Sequence, residues 1–385
     1  MNKSLIKINK WLYPASWIYG AGVWLRNKLF DWGYYKERTF DLPIICVGNI
    51  TVGGTGKTPH TEYLIRLLQD NLQVAVLSRG YKRKSNGFVL AQDDTHVSMI
   101  GDEPYQMKQK FPRIHMAVDN DRCHGIEQLC RKSVTPETDV ILLDDAFQHR
   151  YVKAGMNILL IDHNRLIHED ALLPAGRMRE HESGKYRAQI IIITKCPKDM
   201  TPMDYRVINN QLELHAFQQL YFTTLDYGKL RPLFNGGKEY AIQQIHPAVH
   251  ILLVTGIASP EPLQEELKKT SNPIHSLSFS DHHDFSECDL IKIEQEFLQL
   301  PEGRRMIITT EKDAVRMASH PQLPESVKPY IYVLPIEVSF LQDQQNSFNQ
   351  NIIDYVRKNY RNSQLSKKLD AYTTRNSHYL RYGLR

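Results

Sequence analysis

"PIICVGNITVGGTGKTPHTEYLIRLL", residues 43–68, is the stretch of this chain that predicts its fold. It begins with a short apolar run typical of a buried strand and ends with apolar residues at helical spacing. Between them lies a glycine-rich loop ending in Gly56, Lys57 and Thr58, which match the end of the phosphate-binding pattern G-x-x-x-x-G-K-[ST]. Thr51 stands where that pattern begins with glycine.

The loop keeps what phosphate binding requires, although its opening glycine is absent. Phosphate is bound by backbone N–H groups and by the N-terminus of the following helix. Gly53, Gly54 and Gly56 permit the tight turns and the close approach that this needs. In this pattern the lysine reaches the outer phosphates and the next hydroxyl ligates Mg²⁺. We therefore predict a nucleotide site formed by Thr51, Val52, Gly53, Gly54, Thr55, Gly56, Lys57 and Thr58.

A second motif predicts the metal ligands. "VILLDD", residues 140–145, is an apolar strand pattern that ends in Asp144 and Asp145. The end of a strand is where a P-loop protein carries its metal-binding carboxylate. The alternative is a pair of solvent-exposed acids at the start of a loop. We predict that Thr58, Asp144 and Asp145 hold Mg²⁺, and the sequence leaves open which aspartate ligates the metal directly.

The nucleotide is predicted to be ATP. A guanine-specific protein carries the pattern [NT]-K-x-D after a late strand. The segment "ITKCPKD", residues 193–199, begins that pattern with Thr194 and Lys195 but has Pro197 in place of the aspartate. The residue that would pair with guanine is therefore missing.

Alternating strand and helix patterns continue along the chain, and a second series of them begins near Val249. Such alternation predicts βαβ units and a parallel sheet. We predict an α/β fold with a P-loop NTPase-like core, a mainly parallel sheet and a smaller C-terminal α/β domain. The predicted segments are an N-terminal helix at 1–32, the core at 33–230, the smaller domain at 231–345 and a basic C-terminal tail at 346–385.

Composition favours a protein of the cytosol or facing it. The chain has 385 residues, more than one hydrophobic core usually holds, so two domains are favoured. Its five cysteines are scattered without a C-x-x-C pair, which suits a reducing compartment. The net charge of +5 is mild for this length, and no nucleic acid is expected among the partners.

The first 32 residues are unusually aromatic and basic. All four tryptophans lie here, and five cations precede the first acid, Asp31. The uncharged run "WLYPASWIYGAGVWL", residues 11–25, is shorter than the roughly 20 apolar residues of a membrane-spanning helix and contains Pro14. Tryptophan prefers the lipid headgroup layer, and lysine and arginine are attracted to anionic lipids. The residues alone leave two readings open, a helix at a membrane interface and a helix packed on the protein's own core.

Six motifs in a fixed order resemble the tetraacyldisaccharide 4'-kinase family, the lipid A kinases of Gram-negative envelopes. They are "VGNITVGGTGKTP", "SRGYKRK", "GDEPYQM", "DDAFQHR", "LLPAGRMRE" and "FSDHHDFS", within residues 43–290. A loop that opens with Thr51 is normal for that family. The resemblance implies a kinase that uses MgATP to phosphorylate the 4'-hydroxyl of an acylated glucosamine disaccharide 1-phosphate. It also implies a peripheral protein at the cytoplasmic face of the inner membrane, which favours the membrane-interface reading of residues 1–32.

The resemblance also implies roles for particular residues. Asp102 in "GDEPYQM" matches the family's catalytic aspartate, and His282 in "FSDHHDFS" matches the histidine that assists it. From the residues alone, Asp102 ahead of Pro104 is a good helix N-cap, and a lone histidine is more often structural. The other residues that match positions at the family's cleft, as substrate or phosphate contacts, are Arg79, Glu103, Arg122, Gln148, His149, Arg179 and Glu180.

Two other functions fit part of these features. A membrane-associated P-loop ATPase with a regulatory or positioning role would explain the loop, the acids and the N-terminal helix, but not the motifs around Asp102 and His282. A non-catalytic nucleotide-binding scaffold would need neither Lys57 nor Asp145. Transfer of label from ATP to an acylated disaccharide phosphate distinguishes the kinase from both.

Overall fold

The chain divides into two compact units. The structure, a computed structural model, describes residues 8–131, 133–135, 137–234, 238–257, 260–280, 283–318 and 320–359. The larger unit comprises residues 1–225 and 338–385, and the smaller unit comprises residues 226–337.

Strands and helices are numbered along the chain. The strands are β1 (Ile44–Gly48), β2 (Val74–Ser78), β3 (Val89–Leu90), β4 (His115–Val118), β5 (Val140–Asp144), β6 (Met156–Asp162), β7 (Ile190–Thr194), β8 (Gln219–Tyr227), β9 (Arg231–Pro232), β10 (His250–Thr255), β11 (Ile274–Ser278), β12 (Arg305–Thr310), β13 (Ile331–Leu334) and β14 (Ile336–Phe340). The α-helices are α1 (Tyr13–Asp31), α2 (Lys57–Leu68), α3 (Val97–Ile100), α4 (Asp102–Lys110), α5 (Arg122–Leu129), α6 (Pro202–Leu212), α7 (Glu261–Lys268), α8 (Glu287–Leu298), α9 (Glu311–Ala318) and α10 (Gln345–Asn359).

The larger unit is built on a mainly parallel sheet, as predicted. Among the described residues, nine strands form it in the order β14-β8-β7-β6-β1-β5-β2-β4-β3. Strand β1 lies between β5 and β6 and runs parallel to both, with Val47 opposite Asp144. Every residue of β1 and β5 is buried, which explains why both read as continuous apolar runs. Since the carboxyl ends of parallel strands meet at one edge, the loop after β1 and the aspartates after β5 come together.

The smaller unit repeats the α/β pattern on a smaller scale. Its sheet, within the described part of the chain, has the order β11-β10-β12-β13-β9, in which only β9 pairs antiparallel. Helix α8 buries Leu290, Ile293 and Phe297, which recur at the three- and four-residue spacing of one helix face. The strand–helix patterns predicted from Val249 onward are confirmed.

The chain returns to the larger unit after β13. Strand β14 joins the large sheet, and α10 buries Phe348, Ile352, Ile353 and Val356 in its core. Two separate stretches of chain therefore build the larger unit. The domain limits predicted at residues 32, 230 and 345 stay a prediction. The part of the predicted tail from 360 to 385 lies outside the described residues.

Helix α1 has one inward and one exposed side. Pro14 lies in its first turn, where the missing N–H costs no hydrogen bond, so the proline starts the helix rather than interrupting it. Ser16 and Phe30 are buried against the larger unit. The exposed fractions are 72% for Trp17 and 57% for Trp24 on the helix, 93% for Trp11 just before it and 67% for Trp32 just after it. No helix in the described ranges is long and apolar enough to cross a membrane.

Candidate active site

The glycine-rich loop has the backbone that phosphate binding requires. Gly53 has a φ of 116° and Gly56 a φ of 86°, values in the left-handed region that favours glycine. Gly56 also occupies the N-cap position of α2, so the N–H groups of the first helical turn are directed at the loop. A Cβ on Gly54 would meet nothing within 4 Å, which leaves that side of the loop open to a ligand.

The structure shows why threonine can occupy position 51, where the usual pattern has glycine. It pairs with Met178 across an isolated antiparallel bridge and is 6% exposed. Extended backbone suits a β-branched residue, and no glycine is needed where φ is negative. The unusual opening of the loop is therefore a position that is packed against a neighbouring segment.

The loop is held in place by contacts that the sequence analysis missed. The Asn49 side-chain amide donates to Oγ1 of Thr55 at 2.9 Å, and the Thr194 hydroxyl donates to the Thr55 carbonyl at 2.9 Å. The N–H of Val52 donates to the carbonyl of Arg177 at 2.7 Å. A loop fixed from several sides has little freedom left to lose when a nucleotide binds. The sequence did offer one signal for Asn49, because it is a polar residue directly after an apolar strand.

His60 is a second missed residue, one turn into α2. Its ring lies 2.7 Å from the Gly56 carbonyl through Nδ1 and 3.0 Å from the Thr223 hydroxyl through Nε2. Burial lowers the pKa of His60 to about 4, so the ring is neutral at pH 7. It therefore joins the end of the loop to β8 without adding charge.

Lys57, Asp145 and Arg179 form the charged centre of the site. Nζ of Lys57 lies 3.7 Å from Oδ1 of Asp145. Nη1 of Arg179 lies 3.1 Å from the same oxygen and 3.3 Å from Oδ2. The predicted phosphate lysine and the predicted metal carboxylate are thus neighbours. The carboxylate of Asp145 thus lies between two cations, and these ion pairs can exchange for contacts with a phosphate and its metal ion.

Asp144 lies deeper, behind Asp145. It is 1% exposed and accepts hydrogen bonds from the hydroxyls of Ser78 at 3.2 Å and Thr61 at 3.4 Å. Burial, together with the nearby carboxylates of Glu103 and Asp145, raises its pKa to about 7. Neighbouring carboxylates repel one another, and a bound divalent cation would relieve that repulsion. Their oxygen atoms are also the kind of ligand that Mg²⁺ prefers.

Gln148 and Glu180 connect the loop to the charged centre. Nε2 of Gln148 donates to the Asn49 carbonyl at 2.7 Å and to Glu180 at 2.9 Å. Its side-chain oxygen accepts from Arg179 at 3.3 Å. Glu180 is 2% exposed, and Arg187, another residue that the sequence analysis missed, pairs with it at 2.8 Å. Gln148 and Glu180, both predicted from the motifs, are therefore hydrogen-bonded to each other, and Gln148 also to Asn49 and Arg179.

The motifs around Arg79 and Asp102 are packed against each other. A Cβ on Gly101 would lie 2.8 Å from the carbonyl oxygen of Tyr81, an approach that only glycine permits. Gly101 takes the N-cap position of α4, and Asp102 is the first helical residue. The N-cap of α4 is therefore Gly101 and not Asp102, for which that role was considered. Arg79 follows β2 at the same edge of the sheet and is exposed.

Arg122 and His149 lie close together beside β4 and β5. Arg122 is 3% exposed and donates through Nη1 to the Asp119 carbonyl at 2.9 Å. Within the described residues, Nε of Arg122 and Nε2 of His149 are buried without a hydrogen-bond partner. Burial and the nearby Arg122 lower the pKa of His149 to about 4. His149 is therefore neutral at pH 7, and its buried Nε2 has no hydrogen-bond partner among the described residues.

His282 lies outside the described residues. Its neighbour His283, to which the sequence analysis gave no role, belongs to the smaller unit. His283 lies 2.9 Å from Asp289 and stacks on Phe279 with ring centroids 4.9 Å apart. These contacts are within the smaller unit and account for His283 as a structural residue.

The site has a glycine loop between a strand and a helix, and a lysine at the helix start that faces the aspartates of the neighbouring strand. This is the arrangement by which P-loop proteins bind the phosphates of a nucleotide. Fold and site together define a P-loop nucleotide-binding protein.

The family within that class follows from comparison with known proteins. A family model described as tetraacyldisaccharide-1-P 4'-kinase matches residues 8–357. The chain belongs to the tetraacyldisaccharide 4'-kinase family, the kinases of lipid A biosynthesis, which confirms the family resemblance of the six motifs.

Individual relatives agree with this assignment. A tetraacyldisaccharide 4'-kinase of Phocaeicola vulgatus is 70% identical over 366 residues, 95% of this chain and 100% of the relative. One from Porphyromonas gingivalis is 42% identical over 91% of this chain and 98% of the relative. The crystal structure of "apo" form LpxK from Aquifex aeolicus in complex with ATP is similar with a TM-score of 0.70 at 26% identity. The match covers 90% of this chain and 99% of the Aquifex chain.

Proposed function

We propose that this chain transfers the γ-phosphoryl group of ATP, with Mg²⁺, to the 4'-hydroxyl of an acylated glucosamine disaccharide 1-phosphate. The observation that carries the proposal is the convergence of Lys57, Asp145 and Arg179 beside the glycine loop, within 3.7 Å. The ATP in the similar Aquifex structure supports the choice of nucleotide. Membership of a kinase family favours transfer to a sugar hydroxyl over transfer to water.

The loop residues would bind and orient the nucleotide. Backbone N–H groups between Gly53 and Thr58 would hold the phosphates, since that of Val52 is bonded to the Arg177 carbonyl, and Lys57 would neutralise charge on the transferring group. Thr58, Asp144 and Asp145 would hold Mg²⁺, which when bound neutralises phosphate charge and orients the γ-phosphate. Arg179 pairs with Asp145 here and is placed to contact phosphate once that carboxylate binds the metal.

The acceptor side is proposed from the family motifs and from placement. Asp102, at the start of α4, would accept the proton of the sugar hydroxyl, and Glu103 beside it lies near enough to Asp144 to raise its pKa. His282 would assist Asp102, a role that rests on the family motif alone. Arg79, Arg122 and His149 line the same edge of the large sheet, where they would contact phosphate or substrate.

The function is tested by following the label. The full chain is incubated with [γ-³²P]ATP, Mg²⁺ and the acylated disaccharide 1-phosphate in detergent micelles. We expect label in the lipid, and digestion of the product should place it on the 4'-oxygen. Release of inorganic phosphate with no labelled lipid would instead support the ATPase alternative.

Helix α1 is the proposed membrane contact. Its inward side packs on the larger unit, while Trp17 and Trp24 on the helix, with Trp11 and Trp32 at its two ends, form the kind of exposed surface that enters a headgroup layer. An acylated acceptor has to be reached at a lipid surface, which supports a peripheral location at the cytoplasmic face of the inner membrane. One side of the helix is packed on the protein, and the membrane-interface reading is proposed for its open side.

Serine in place of all four tryptophans should weaken binding to vesicles that contain anionic lipid by at least about tenfold. Each tryptophan is more than half exposed, so the fold should survive, while the lost apolar burial exceeds the roughly 1.4 kcal/mol that a tenfold change needs. Co-sedimentation measures the binding. The matched control replaces Met203 and Phe217, exposed apolar residues of the larger unit, and should bind as the natural chain does. Equal loss in both variants would contradict a specific role for α1.

Replacement of Asp145 by asparagine should raise the Mg²⁺ concentration for half-maximal turnover by about tenfold or more. Asparagine is chosen because Asp145 has a φ of 46°, which asparagine tolerates and alanine does not. Chelation of Mg²⁺ with EDTA should stop turnover of the natural chain, and added Mg²⁺ should restore it. Asp93→Asn, at an exposed acid, is the control. An unchanged Mg²⁺ dependence of the Asp145 variant would remove that residue from the metal site.

A further inference from the structure

The inward side of α1 reaches two residues of the site. The Tyr19 hydroxyl donates to the backbone carbonyl of Arg179 at 2.7 Å. Nη2 of Arg26 donates to the backbone carbonyl of Gln148 at 2.8 Å. Both side chains are half-buried. Gly20, next to Tyr19, packs closely on Leu172, since a Cβ there would lie 2.7 Å from Cδ1 of that side chain.

The two carbonyls belong to the residues that hold the loop and Asp145. The N–H of Arg179 donates to the Ile50 carbonyl at 2.7 Å, and its guanidinium contacts Asp145. The side chain of Gln148 donates to the carbonyl of Asn49, at the start of the loop, at 2.7 Å. Each contact of α1 is therefore one residue away from the phosphate loop or from the predicted metal carboxylate.

We infer that Tyr19 and Arg26 are positioning residues for phosphoryl transfer, so that α1 orders the nucleotide site as well as contacting the membrane. This inference rests on the proposed function. The two side chains fix the backbones of Arg179 and Gln148, and through them the place of Asp145 and the start of the loop. They do not themselves take part in the chemistry. Phosphoryl transfer depends on positioning, and small displacements of its groups reduce the rate strongly.

A positioning role differs from a purely structural one in what it changes. A hydrogen bond that only supported the fold would, when lost, lower the melting temperature and leave the kcat of the folded enzyme as it was. A bond that places Arg179 should lower kcat at a nearly constant KM for ATP, since the N–H groups of the loop remain. Its effect should also vanish when the Arg179 side chain is absent.

The test uses the full chain with lipid substrate in neutral detergent micelles, where attraction to anionic lipid plays no part. Tyr19→Phe removes one hydroxyl, and Arg26→Lys keeps the positive charge but loses the guanidinium. We expect each to lower kcat by about three- to tenfold and the double variant by more, with the KM for ATP within about twofold. Tyr34→Phe makes the same change at an exposed tyrosine just after α1 and should keep the natural kcat.

A double-mutant cycle completes the test. In an Arg179→Ala background, Tyr19→Phe should change kcat by less than about twofold. The inference is overturned if the folded Tyr19→Phe, Arg26→Lys double variant keeps the natural kcat, or if Tyr19→Phe costs the same factor with and without Arg179. If the natural chain itself transfers no label to lipid, the proposed function fails first, and the positioning role fails with it.

Discussion

Alanine in place of Lys57 should lower turnover by roughly 10³-fold while the protein stays folded. Lys57 begins α2 at the end of the glycine loop, where its ammonium group meets the charge that develops on the transferring phosphoryl group. Its partner Asp145 keeps a second cation, Arg179, at 3.1 Å when the lysine is removed. No carboxylate is left unpaired, so the free energy of unfolding should fall by no more than about 1 kcal/mol.

The measurements are kcat for lipid phosphorylation and the melting temperature. Lys108→Ala serves as the control, because Lys108 is a largely covered lysine of the same unit that donates to the Pro112 carbonyl, away from the loop. It should lose some stability and keep its turnover. Near-natural turnover of folded Lys57→Ala protein would contradict the phosphate role of the loop.

The sequence predicted the parts of the site that local patterns determine. An apolar run, a glycine loop and a helical spacing follow one another within residues 43–68, and they fold as β1, the loop and α2. The pairing of Asp144 and Asp145 with that loop also followed, because parallel strands bring their carboxyl ends to one edge. Thr51 stays a predicted part of the loop, and only the structure shows why glycine is not needed there, namely its bridge to Met178.

The contacts that join distant segments were not visible in the sequence. Tyr19 and Arg26 bond to residues more than a hundred positions away, and no periodicity in a local window reports such a pair. His60 reads as an ordinary helical polar residue, yet its ring is buried between Gly56 and Thr223. Pro14 lies inside an apolar run, where a proline usually breaks a helix, whereas here it occupies the first turn of one.

Local sequence patterns also could not predict that the chain returns to the larger unit. "YIYVLPIEVSF", residues 330–340, reads as a single strand region, but it is divided at Pro335 into β13 and β14, which belong to different sheets. Proline lacks the N–H that a continuous ladder needs, so the break itself has a signal. No local signal indicates which sheet β14 joins, because that depends on tertiary packing.

Alanine in place of Asp102 should lower lipid phosphorylation by about 10²–10⁴-fold and leave the affinity for ATP nearly unchanged. The reason is that Asp102 is proposed to act on the acceptor hydroxyl, while the nucleotide is held by the loop. The competing explanation is a stabilising role at the start of α4. Gly101 takes the N-cap position there, so loss of Asp102 should cost less stability than loss of a capping side chain.

Thr201→Ala provides the matched control, because Thr201 caps α6 through a capping box with Asp204. Its loss should cost about 1 kcal/mol of stability and leave turnover as it was. An Asp102→Ala protein that is destabilised to the same extent but active would return Asp102 to a structural role.

His282 gives the same experiment a second arm. If the histidine assists Asp102 in one step, His282→Ala should also reduce turnover strongly, and the double variant should be little worse than the poorer single variant. Melting temperature, ATP affinity and lipid phosphorylation are measured for all three variants. Losses that multiply in full would show that the two residues act in separate steps. In that case Asp102 would remain the candidate base, and His282 would need another role than the one its motif implies.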